Sequence, residues 1–249
     1  MYHKDSRIYF LDNPYPDGHK LKEFSWSIRL IPSVGLWFDL HLETEKYYAE
    51  DESTEEEDEE ESDWKAKIVW GNYHSCKMSS TYWHKGGFLG GSAHKKFDFN
   101  KGMTNFFHID PLPRPKDFDI EEDRPFFIYL LGHDDCADHK ITFHKEESGK
   151  YRIGWKGKIA LSYAGDFDFN YDFSSEIQEV EIPKILCPHS LSETEIKDLL
   201  HKYAIGYEDL QIARYELSET TDEMSRMKME DSSKKGRASL WDKLKALWS

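Results

Sequence analysis

Apolar and polar residues alternate along most of this chain, the period-two signature of half-buried β-strands. Phe24, Trp26, Ile28 and Leu30 fall on one face, with Ser25, Ser27 and Arg29 on the other. Val34, Leu36, Phe38, Leu40 and Leu42 repeat the pattern after Pro32 and Gly35, and Trp64, Ala66, Ile68 and Trp70 carry it on further. Ile141 and Phe143 follow, then Tyr151, Ile153, Trp155, Ile159, Leu161 and Tyr163. Phe167, Phe169, Tyr171 and Phe173 close the series, with Ile177, Val180 and Ile182 less regularly placed. Turn-forming clusters separate the runs: residues 13–18 (Asn-Pro-Tyr-Pro-Asp-Gly), the glycine pairs at 86–87 and 90–91, residues 147–150 and residues 164–166. Pro111, Pro113 and Pro115 make 110–116 an extended connector outside any ladder. About eight to ten strands result, enough for two sheets packed face to face. The predicted fold is therefore mainly β, an antiparallel β-sandwich or jelly-roll-like body over residues 1–190.

The pattern changes after 190. Ser192 and Glu195 have capping-box spacing, and Ile196, Leu199, Leu200 and Tyr203 follow at helical intervals until Gly206. A helical segment over 191–217 packed on the body is predicted, although 207–217 carries both periodicities. Residues 218–239 offer ten charged side chains and almost nothing to bury, which predicts a flexible linker. In 240–249, Leu240, Trp241, Leu244, Leu247 and Trp248 share one face of a helix. So short a helix does not stand alone in water, so the face needs a receiver: the protein's own body, a partner's groove or a membrane surface.

Charge sharpens the picture. The 249 residues carry a formal −15, with 33 Lys+Arg against 48 Asp+Glu. Residues 50–63 alone hold 11 acids and no base, including the run Glu55, Glu56, Glu57, Asp58, Glu59, Glu60 and Glu61. The remaining 235 residues are nearly balanced, 37 acids against 33 bases. Like charges this dense repel one another and predict a disordered loop, either a solvated insertion or a lure for a basic partner. By contrast, 234–245 has five bases and one acid, which suits anionic lipid or the acidic loop itself. The overall sign speaks against direct nucleic-acid binding. The longest strongly apolar run, 126–131, is far short of a membrane span. Cys76, Cys136 and Cys187 are odd in number and far apart, so no disulfide framework is expected. Together with an N-terminal stretch that lacks a signal-like apolar core, this predicts a cytoplasmic protein.

Candidate chemistry is sparse. The densest ligand cluster is His133, Asp135, Cys136 and His139, read as a hairpin loop whose two imidazoles face each other. A divalent metal such as zinc takes that ligand mixture, although a polar turn is the simpler reading. Asp166, Asp168, Asn170 and Asp172 have the early spacing of a calcium loop, but Tyr171 and Ile177 stand where Gly and Glu are required. The glycines at 86–91 lack the ending of a phosphate-binding loop. Ser92 and His94 form no nucleophile elbow. Trp26, Trp37, Trp64, Trp70, Trp83 and Trp155 could line a sugar groove, with core packing the simpler reading. The leading expectation is a non-enzymatic adaptor or inhibitor with no cofactor, binding a partner protein through the acidic loop and the C-terminal peptide. A metal-dependent hydrolase at 133–139 and a small-ligand or carbohydrate binder are the alternatives.

Overall fold

A computed structural model describes residues 2–50, 62–80 and 86–215. The acidic run at 55–61, Trp83, the linker and the amphipathic peptide at 240–249 lie outside the described residues. In chain order the strands are β1 (Arg7–Phe10), β2 (His19–Ile31), β3 (Gly35–Thr44), β4 (Lys77–Ser79), β5 (Phe88–Gly91), β6 (Phe97–Asp98), β7 (Thr104–Ile109), β8 (Phe127–Tyr129), β9 (Asp135–Lys145), β10 (Tyr151–Ala160), β11 (Tyr171–Val180), β12 (Ile185–Pro188), β13 (Ala204–Ile205) and β14 (Ile212–Tyr215). Helix α1 (Lys67–Tyr73) precedes β4, and α2 (Glu193–Tyr203) follows β12.

The body is mainly β, as the alternation predicts: one curled, largely antiparallel sheet forming a half-barrel, compatible with a sandwich-like body. Its path runs β7-β9-β10-β11-β1-β2-β3-β4-β8, with β5 on β3 and β12 and β14 beside β2. The long strand β2 makes the curl. Its first residues pair with β1 (Arg7 opposite Lys20), and its middle pairs with β12 (Ile28 opposite Ile185). The curl brings Trp26 of β2 against Phe143 of β9 at 5.1 Å and Tyr151 of β10 at 5.4 Å between ring centroids. Phe38 of β3 meets the same Phe143 at 5.5 Å. This is how the aromatic-rich strand faces bury their apolar area against one another.

Three local expectations are corrected. Residues 64–70 do not continue a strand. They form a turn leading into α1, in which Trp64 and Trp70 are buried while Ile68 is 77% exposed. The reason is tertiary: the Trp70 indole N–H donates to the Trp64 carbonyl at 2.8 Å, and both rings fill the open end of the curl beside Phe10. Strand β11 begins only at Tyr171, leaving Phe167 exposed in a turn where the Asp168 N–H donates to the Asp166 carboxylate. Residues 207–215 are not helical. Chain beyond Gly206 (φ 67°) returns as β14, parallel to β12, because that edge offers unpaired backbone groups. Helix α2 has the predicted capping box between Ser192 and Glu195 and buries Ile196, Leu200 and Tyr203. It stops at Tyr203, before Gly206, since Ala204 and Ile205 turn extended to pair with β6.

Candidate binding cleft

A cleft of about 880 Å³ opens where β1, the 13–18 turn, the start of β2, residues 45–50 and the start of α1 meet. His19 lies in its floor, 4% exposed. The imidazole stacks on Trp70 (5.6 Å, 13° between planes) and meets Tyr15 and Tyr47 edge-on at 4.9 and 4.8 Å. Asn13 fixes its tautomer. The Asn13 side-chain oxygen accepts from the Tyr15 N–H at 3.1 Å, so its amide nitrogen donates to His19 Nε2 at 3.2 Å. The ring proton therefore sits on Nδ1. Burial, and next the charge of Arg7, push the His19 pKa down to about 4. At neutral pH the floor thus presents an uncharged ring rather than a cation.

The rim is of mixed sign: Arg7, Lys20, Lys46 and Lys67 against Asp17, Glu45 and Glu50. Arg7 donates to the Gly18 carbonyl at 3.1 Å and pairs with Glu50 at 2.7 Å, holding the Glu50 carboxyl below its usual range. Among the described residues, no Ser, Thr or Cys lines the cleft. The three cysteines are buried, and burial raises each thiol pKa, that of Cys187 to about 11, leaving them unreactive.

The cleft also locates the stems of the acidic segment. Glu50, held by Arg7, is the last described residue before it. On the far side, Trp64 donates its indole N–H to the Leu11 carbonyl at 2.8 Å and stacks on Tyr171 at 4.1 Å. Thus both stems are fixed to the body, one at the first residue of β1 and the other just beyond its last.

The residues expected to hold a metal at 133–139 are not gathered to one point, and the hairpin loop expected there does not form. β8 pairs with β4, while β9 pairs with β7 and β10. Asp135, Cys136 and His139 belong to β9 itself. Asp135 pairs with Arg114, which also binds Asp110 at 2.7 Å and sits between the rings of Phe118 and Phe169. Cys136 Sγ lies 3.7 Å from the Phe126 carbonyl. His139 is fully buried, its Nδ1 accepting from the Trp155 indole at 3.2 Å. His133 points elsewhere, its ring 5.3 Å from that of Tyr129. Alternation sends the neighbours Asp135 and Cys136 to opposite faces of the sheet, and His133 lies before β9 begins. Among the described residues, Glu23, His41 and Glu43 are the only trio whose ligand atoms lie within 4.8 Å of one another. Glu43 there already takes Lys22 and Lys77 as partners.

Of the tryptophans, Trp26, Trp64, Trp70 and Trp155 are core residues, and half-buried Trp37 donates to the Gly86 carbonyl at 3.1 Å. The 86–91 glycines belong to β5 and its approach rather than to a free turn. Sequence reasoning missed His19. Its signal was present, because it shares the apolar phase of Leu21 directly after a turn. Arg7 and Glu50 left no such trace. Neither a family model, nor a curated protein, nor a solved structure matches this chain.

Proposed function

We propose that this protein is a non-enzymatic interaction protein, an adaptor or inhibitor, that binds a basic partner protein. The acidic segment 50–63 supplies attraction and the amphipathic peptide 240–249 supplies the apolar anchor. The observation that carries this reading is the double anchoring of the acidic segment. Arg7–Glu50 on one side and Trp64 on Leu11 and Tyr171 on the other fasten its stems beside the His19 cleft. Ten acids between fixed stems concentrate negative potential at one end of the body, which accelerates encounter with a cationic surface. The neutral His19 ring, packed among Trp70, Tyr15 and Tyr47, suits an aromatic recognition surface.

Affinity capture from an extract of the native host tests the proposal with three baits: the full chain, a chain with Glu55–Glu61 replaced by Gly and Ser, and residues 1–232. The full chain captures a basic protein whose retention falls between about 50 and about 300 mM salt, as screening requires. The neutralised bait captures less of it at low salt, and the truncated bait loses it. Identical capture by all three baits refutes the reading.

A further inference from the structure

A second pocket, of about 570 Å³, lies away from the cleft, between the end of α1, β4 and β8. Its walls are predominantly apolar and aromatic. Tyr73 and Tyr129 meet edge-on at 6.3 Å, Tyr129 and His133 likewise at 5.3 Å, and Phe127 adds a further ring. Its size lies within the range of small-molecule sites.

The polar groups on these walls are mostly spent. Lys77 is paired with Glu43 at 3.3 Å. Asp134 accepts from the Leu131 N–H at 2.9 Å and from the Tyr163 N–H at 3.4 Å. Arg124 differs. Its guanidinium sits over the Phe127 ring, Cζ 4.1 Å from the centroid, with no ion pair or hydrogen bond among the described residues. Its Nε is buried without a partner. The contact with Phe127 restrains the guanidinium and leaves a planar, charged donor set at the wall of an aromatic pocket. A carboxylate is the acceptor whose geometry matches this fork.

From this geometry we infer that the pocket binds a small aromatic carboxylate, its ring against Tyr73, Tyr129 and His133 and its carboxylate on Arg124. The charge count selects the class. Lys77 shares Glu43 with Lys22, and Asp134 adds a negative charge opposite Arg124, so the described walls carry only a small positive excess, which a monoanion matches better than a dianion such as an aryl phosphate.

Benzoate, benzamide and phenyl phosphate are the probes, titrated into the full chain by calorimetry and by ligand-observed NMR. Benzoate saturates below about 10 mM, and benzamide binds at least about tenfold more weakly because it lacks the charge-assisted pair. Phenyl phosphate gains nothing over benzoate. Arg124→Gln lowers benzoate affinity at least about tenfold and leaves benzamide unchanged, whereas Lys77→Gln leaves benzoate unchanged. Arg124→Lys, which keeps the charge without the fork, gives an intermediate loss and serves as the readout should the glutamine variant fail to fold, as judged by circular dichroism. Equal binding of benzoate and benzamide, tighter binding of phenyl phosphate, or benzoate affinity indifferent to both Arg124 variants overturns the assignment. So does self-association that Arg124→Gln abolishes in sedimentation velocity, which would make a second copy the occupant.

Discussion

Two buried imidazoles make the stability of this fold steeply dependent on acid. His19 in the cleft floor and His139 in β9 are 4% and 0% exposed, and both are neutral in the folded chain. His139 is enclosed by Phe126 at 4.7 Å and Phe173 at 6.0 Å, its Nε2 has no partner, and burial followed by the charge of Arg114 pushes its pKa to about 3. His19 is pushed to about 4. An unfolded histidine titrates near 6.5. Between those values the unfolded chain takes up protons that the folded chain refuses. The stabilisation is therefore complete above pH 6.5 and is lost as pH falls towards 4 and 3. Each histidine contributes a slope of up to about 1.4 kcal/mol per pH unit, so the pair approaches about 2.7. Integrated from pH 7 to pH 5, the loss is about 4 kcal/mol, a large part of the 5–15 kcal/mol that a domain ordinarily has. Urea unfolding followed by tryptophan fluorescence at pH 7, 6 and 5 measures it. His19→Gln, which removes one titrating group and keeps a hydrogen-bonding side chain, halves the slope between pH 6 and 5. A wild-type slope below about 1 kcal/mol per pH unit there, or a slope that His19→Gln leaves unchanged, would show that the folded chain accepts these protons and that the argument from burial is wrong.

Two further substitutions probe the scaffold. Arg114→Met strands Asp110 and Asp135, both nearly buried, and lowers stability by about 3–5 kcal/mol in denaturant titrations. Adding Asp110→Asn and Asp135→Asn recovers much of that loss, because the stranded charges are then gone. Ser192→Ala removes the acceptor for the Glu195 N–H and the hydroxyl that donates to the Glu195 carboxylate, costing about 1 kcal/mol by the same assay.

The alternation of Phe24 to Leu30 and Leu36 to Leu42 is sufficient to identify a hairpin and its buried face, because side-chain direction in a strand follows from position alone. The α2 cap is local in the same sense, since its hydrogen bonds join residues three apart. The charge of the acidic segment and the amphipathic face of 240–249 are likewise properties of the chain itself. What the chain alone left open depends on contacts between distant residues. Trp64 and Trp70 have strand spacing, yet they enter a turn and a helix because the open end of the curled sheet has room for two indoles beside Phe10. Residues 212–215 become a strand only because β12 presents an edge to them. His133 and His139, six apart in sequence, are parted because one precedes β9 and the other lies within it. Conversely, Arg7 and Glu50, 43 residues apart, are joined at the rim of the cleft, and Arg124 is set over Phe127. Strand faces, caps and charge runs are short-range and legible in order along the chain. Pockets and ion pairs arise where the sheet curls back on itself, and they took shape only in the folded protein.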